Sequence, residues 1–142
     1  MWAATMAHSD MIGKEGDYAC HALSHIFTET FGLSHGAALA ILMPAWCQLM
    51  GQMEPEGTEK IFRNVWGADG ENYQELSRNG TGRFRRFIRD CGLSCTLHEA
   101  GFDVADYEEM ALRAVKTKDG YIGGGFCRLY FQDVIELLKL CV

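Results

Sequence analysis

The sequence predicts an all-α fold, a bundle of about seven helices forming one domain over residues 1–142. Three observations lead there. No segment alternates apolar and polar residues over more than a few positions, so strand signals are nearly absent. Apolar residues instead recur at helical spacing in segment after segment. Glycines and cap-forming side chains punctuate those segments. A chain of 142 residues, 48% hydrophobic and 23% charged, has the length and composition of a globular domain. At that size folding buries roughly two-thirds of the surface, enough for a core.

The first element, about residues 1–10, is apolar from its first position and reads as a helix entered partway. It has no basic start and no small-residue cleavage site, so it is not a targeting leader. A loop with Gly13 and Gly16 leads to Asp17, the predicted N-cap of a helix reaching Phe31, where Gly32 is placed to end it. Ser34 caps the next helix, which runs from His35 through GAALAILMPAW to about Met50. Pro44 removes a backbone hydrogen bond there and crowds the carbonyl of Ala40, which predicts a kink. That apolar run is too short to span a bilayer, so no membrane partner is expected. Further helices are predicted at 55–66, 71–78, 82–91, 103–116 and 131–141, with Asp69 and Asp103 as caps and Gly67, Gly80, Gly92 and Gly101 as breaks. GYIGGG at 120–125 reads as a loop; no strand precedes it and no spaced GxGxxG is present, so it is not a dinucleotide fingerprint.

A net charge of −6 argues against a nucleic-acid partner, because phosphate binding needs a basic face. RFRRFIR at 83–89 is the local exception. Phe84, Phe87, Ile88 and Cys91 predict an apolar face there, with the arginines solvated on the other. The six cysteines (Cys20, Cys47, Cys91, Cys95, Cys127 and Cys141) contain no CxxC and follow no leader. Free thiols in a reducing, cytoplasmic setting are expected, with Cys91 and Cys95 buried rather than paired on a metal.

Three of the five histidines fall within residues 17–36. Ala19, Ala22, Leu23, Ile26, Phe27 and Thr30 form the apolar stripe of that helix, while His21 and His25 point nearly the opposite way beside Ser24 and Thr28. They therefore face solvent or a second surface. His35 starts the following helix after a short turn, so its ring can swing back toward His21, and Gly36 leaves room for another group. Spacing alone leaves two readings open. One is a polar surface near a turn. The other is a metal site, since imidazoles at i and i+4 share a face and suit zinc or Fe(II). The metal site would be incomplete, with Asp17 and Glu29 as candidates for a further ligand. Hydrolysis in the HExxH manner is disfavoured because Ala22, not Glu, follows His21. A Cys20–His21 nucleophile pair is disfavoured because neighbouring helical positions face different ways.

HALSHIFTETFGLSHGAALAILMPAW resembles the signature of iron-containing (group III) alcohol dehydrogenases, in particular their butanol dehydrogenase-like branch. The matching features are His21, His25, His35, Gly36 and Pro44, with VWG at 65–67, RFRRFIRDCGLS at 83–94 and DVIELLKL near the end. The resemblance covers nearly the whole chain. It departs at Ser94, where the family commonly has proline, and at Tyr130, where a capping threonine is common.

The resemblance implies the C-terminal, dehydroquinate synthase-like helical domain of a two-domain enzyme with its metal in the interdomain cleft. It implies His21 and His35 as ligands of Fe(II) or Zn(II). His25 would be no ligand; it would lie beside nicotinamide and substrate, serving cofactor binding and catalysis. It implies hydride transfer between NAD(P)(H) and a small alcohol or aldehyde, the metal polarising the substrate oxygen. The family's other two ligands and its pyrophosphate loop belong to an N-terminal cofactor-binding domain, which becomes the expected partner; a homodimer is a further option. This chain alone is expected to be inactive and to hold metal weakly. Two other readings stay open: a truncated or split non-catalytic helical module acting through a partner, and a stand-alone helical metal-binding protein. The histidine face is expected to be exposed, next to an apolar patch.

Overall fold

The computed structural model describes residues 2–9, 11 and 16–142; Gly13 and the two ends of the predicted opening helix lie outside the described residues. Seven α-helices are present among the described residues: α1 (Trp2–His8), α2 (Ala19–Phe31), α3 (His35–Met53), α4 (Pro55–Lys60), α5 (Tyr73–Asp90), α6 (Tyr107–Ala114) and α7 (Phe131–Lys139). The β-structure among those residues is one two-residue antiparallel ladder, β1 (Ile122–Gly123) with β2 (Arg128–Leu129), pairing Ile122 with Leu129.

The α2–α3 hairpin forms as local sequence dictates. Gly32 takes the left-handed conformation at φ 69° and its N–H donates to the Thr28 carbonyl, which closes α2. Ser34 Oγ accepts from the Ala37 N–H at 3.4 Å and opens α3. The helix continues through Pro44 to Met53, beyond the expected end. At the head of α2, Tyr18 rather than Asp17 occupies the cap position. The Asp17 carboxylate instead accepts from Ala19 N–H at 3.1 Å and from Phe126 and Cys127 N–H at 3.2 and 3.4 Å. It thereby ties the 122–129 hairpin to the start of α2.

α3 is the central element, with α2, α6, α7 and the hairpin on one side and α4 and α5 on the other. Leu23, Phe27, Leu42, Met50, Leu97, Leu129, Leu137 and Leu138 fill the first core and are wholly or almost wholly buried. Each such side chain stabilises the fold by about 1.5–3 kcal/mol relative to exposure. Cys47, Phe62, Leu76, Phe84, Ile88 and Cys95 form the second, smaller core.

Around that second core the structure corrects several expectations. The predicted 55–66 helix stops at Lys60 and passes into a π-turn, Ile61–Val65. The predicted helices at 71–78 and 82–91 are one helix, α5, running through Gly80 and Gly82. A Cβ at Gly80 would lie 2.2 Å from Phe62 Cδ1, so this glycine admits a ring rather than ending a helix. Asn72, not Asp69, caps α5, its Oδ1 accepting from Glu75 N–H at 3.0 Å. α6 is shorter than the predicted 103–116 and is capped by Asp106 through Glu109 N–H at 2.9 Å, not by Asp103.

The arginine-rich segment is only half as predicted. Phe84 and Ile88 are buried, but Phe87 is 54% exposed and Cys91 is exposed rather than buried. All six cysteines are free. The arginines do not simply face water. Arg83 donates to the carbonyls of Trp66 and Gly67 at 3.2 and 2.6 Å, and Arg85 donates to the Leu140 carbonyl at 3.2 Å. Arg89 donates to Glu99 at 2.6 Å, holding that carboxyl down at about 2. Among the described residues no helix is long and apolar enough to cross a membrane.

Candidate functional site

His21 and His25 stand one turn apart on the exposed face of α2. Their ring centroids are 4.7 Å apart at an interplanar angle of 88°, and the two Nε2 atoms lie 3.2 Å apart. The left-handed residue Gly32 and the Ser34 cap turn the chain so that His35, first residue of α3, comes back over them. Its ring centroid is 5.2 Å from that of His21 and 6.1 Å from that of His25. Nothing lies within 4 Å of a Cβ built on Gly36, so the surface beside His35 is open.

Ser24 departs from expectation. Helical spacing groups it with the exposed histidines, yet it is 0% exposed. At 100° per residue, position 24 lies on the flank of the His21–His25 face, turned toward α3. Its hydroxyl donates to the His21 carbonyl at 2.6 Å and meets His35 Nδ1 at 2.8 Å. Thr28 Oγ1 in turn donates to the Ser24 carbonyl at 2.9 Å.

Two further residues join the site with no signal in the sequence. Tyr18 sets its ring edge-on between His8 of α1 and His21, at centroid distances of 6.0 and 6.3 Å, and its hydroxyl donates to the His8 carbonyl at 3.4 Å. Their meeting depends on how α1 packs, which spacing does not encode. Tyr18 is exposed beside the histidines, and Trp2 and Met6 of α1 are exposed as well.

Partial desolvation lowers the His21 pKa from its ordinary value, and the neighbouring His25, His35 and His8 lower it further. The neutral imidazole so favoured is the form that ligates metals. Asp17 and Glu29 do not complete a ligand set. Asp17 holds the backbone at 126–127, and Glu29 pairs with Arg113 at 2.5 Å. Among the described residues no group of three or more His, Cys, Asp or Glu side chains could hold a metal ion. Burial, foremost, pushes the Cys20 thiol well above its ordinary value, which disfavours the thiolate that a nucleophile needs. The GYIGGG segment, expected to be a loop, carries strand β1 and abuts the start of α2: a Cβ at Gly123 would lie 2.5 Å from the Cys127 carbonyl and 3.2 Å from Asp17 Oδ2. A cavity of about 690 Å³ opens elsewhere, between α3 and α5, and no histidine lines it.

Known proteins give this arrangement its context. Over 98% of its length the chain is 30% identical to the NADH-dependent butanol dehydrogenase A of Clostridium acetobutylicum, of which it covers 36%. The crystal structure of an NADH-dependent butanol dehydrogenase A from Thermotoga maritima superposes on 99% of the chain with a TM-score of 0.81 at 28% identity, and the chain covers 37% of it. A crystal structure of YqhD from Escherichia coli shares the fold at a TM-score of 0.84 and 22% identity. The chain thus spans little more than a third of the length of the relatives it matches. The model of the Fe-containing alcohol dehydrogenase family, C-terminal, matches residues 1–142. With the match running from end to end and the helical architecture shared, the chain belongs to the iron-containing alcohol dehydrogenases and corresponds to their C-terminal part.

Proposed function

We propose that this chain supplies the C-terminal helical part of a metal-dependent alcohol dehydrogenase or aldehyde reductase that moves hydride between NAD(P)(H) and a small alcohol or aldehyde. One observation carries the reading. Three imidazoles from two helices meet on an exposed face, each ring centroid within about 6 Å of the next. His21 and His35 would hold Fe(II) or Zn(II), for which neutral imidazole nitrogens are suitable donors. The bound metal would supply polarisation of the substrate oxygen.

His25 is the third member of the site. A hydrogen bond between its Nε2 and that of His21 requires a proton on one of the two atoms. His25 would hold or pass a proton at Nε2 beside the substrate and nicotinamide. Two imidazoles fall short of the three protein ligands usual in catalytic zinc-type sites, and the described residues add no further member. The remaining ligands and most of the NAD(P)H contacts would come from an N-terminal cofactor-binding domain, as the NADH-dependent relatives and the partial coverage of their length suggest. Residues 1–142 would be the C-terminal helical domain of that pair.

The test is direct. The purified 142-residue chain, supplied with Fe(II) or Zn(II), NADH or NADPH, and butanal, should show no change in cofactor absorbance. Without a cofactor cradle the positioning that contributes about 7–11 kcal/mol in favourable cases is missing. Turnover should emerge when the N-terminal domain of a relative is supplied in trans, and His35→Ala should abolish it. Turnover by the chain alone that His35→Ala removes would overturn the half-site reading.

A further inference from the structure

We infer that Ser24 is a positioning residue: it fixes His35 in the tautomer with the proton on Nδ1 and so presents the Nε2 lone pair as the ligating atom. The inference rests on the reading of His35 as a metal ligand, but its chemistry is local. Ser24 Oγ and the His21 carbonyl oxygen stand 2.6 Å apart. Two oxygens at that distance need a hydrogen between them, and a carbonyl has none to give. The single hydroxyl hydrogen is therefore spent on His21. Toward His35 Nδ1, 2.8 Å away, the same oxygen can only accept. Nδ1 must then carry the ring proton, and in the neutral ring Nε2 is left with its lone pair.

Burial makes the arrangement stable. Ser24 is 0% exposed, so water does not compete for either bond. Both partners are also fixed by helical backbone. The acceptor is a carbonyl of α2, and His35 is locked at the head of α3 by the Ser34 cap. One hydroxyl thus links the backbone of His21 to the ring of His35, so that the His35 imidazole is oriented against the helix that carries His21. Partners of this kind, on the far side of a ligating histidine, commonly change metal affinity by about 10–100-fold when removed.

The experiment uses the 142-residue chain labelled with nitrogen-15 at histidine, observed by long-range proton–nitrogen correlation near neutral pH, with Zn(II) as the probe. Without metal, His35 should show a protonated Nδ1 and an unprotonated Nε2. Ser24→Ala should shift it toward the Nε2–H tautomer that neutral histidine favours in water, with unchanged helical circular dichroism. Ser24→Thr, which keeps the hydroxyl, should retain the wild-type pattern. On Zn(II) addition the His35 Nε2 resonance should move, and Ser24→Ala should weaken that response about 10-fold or more. An Nε2–H tautomer in the wild-type chain, or a Ser24→Ala spectrum identical to wild type, overturns the serine's role. A correct tautomer with His21 and His35 indifferent to Zn(II) overturns the ligand reading alone and leaves the tautomer assignment supported.

Discussion

Helix α2 and the α4–α5 pair both pack on the central helix α3, yet the α2–α3 hairpin and the α4–α5 pair use glycine for opposite purposes. In the hairpin, Gly32 acts through its own backbone: φ 69° is a conformation that residues with a Cβ resist, and no neighbour presses on it. In the pair, Gly80 has ordinary helical backbone and acts through what it lacks, since Phe62 occupies the space of a side chain. The first glycine terminates a helix, and the second lets a helix continue while a π-turn is packed across it. The difference shows that a glycine's meaning lies in whether the constraint is a torsion or a neighbour.

Gly80→Ala should therefore have the largest effect. A methyl 2.2 Å from Phe62 Cδ1 and 2.8 Å from its Cβ cannot be accommodated by rotating a distal ring edge alone. Phe62 is itself 0% exposed and has no free space to retreat into. Overpacking of this kind costs about 1–3 kcal/mol, and occasionally more. Three Phe62 atoms closer than 3 Å put the cost at the upper end of that range, and alanine's better helix propensity returns up to about 1 kcal/mol, so a net loss of about 2 kcal/mol is expected. The urea midpoint of unfolding measures it, and an unchanged or raised midpoint would break the contrast.

The same contrast explains which parts of the molecule could be read in advance. The all-α class, the C-terminal end of α2 at Gly32, the Ser34 cap and the meeting of three histidines were legible, because each depends on spacing or on torsions within a few residues. The continuity of α5 was not, because the reason for Gly80 lies at Phe62, eighteen positions earlier. The caps at Asn72 and Asp106 were missed for a related reason. Asp69 and Asp103 are equally good cap residues in isolation, and the packing of the flanking loops decides between them. Within the site, His21, His25 and His35 were visible as a pattern. Ser24 was misplaced because its position is peripheral to the apolar stripe and only the approach of α3 buries it.

Gly32→Ala probes the legible region and should have a smaller effect than Gly80→Ala. A Cβ meets nothing within 4 Å there, so the whole penalty is the left-handed torsion, about 1 kcal/mol for an L-residue. The expected signature is a modest drop in the urea midpoint with no change in the cooperativity of the transition. Gly32→Asn, which tolerates that torsion better, should recover part of the loss. Equal losses for alanine and asparagine would show that something other than the torsion is being disturbed.

Gly82→Ala completes the comparison with the smallest effect and the opposite sign. Gly82 lies two positions beyond Gly80 on the same helix, is exposed, and has nothing within 4 Å of an added Cβ. Alanine there should stabilise by about 0.5–1 kcal/mol, because it lowers the entropy lost on folding and nothing opposes it. Helix, residue type and substitution are shared by the two sites, so the sign difference isolates the Phe62 contact. If both substitutions raise the urea midpoint, the ring of Phe62 does not lie against Gly80. If both lower it, α5 is interrupted between 78 and 82, as a break at Gly80 requires, and its continuity from Tyr73 to Asp90 fails.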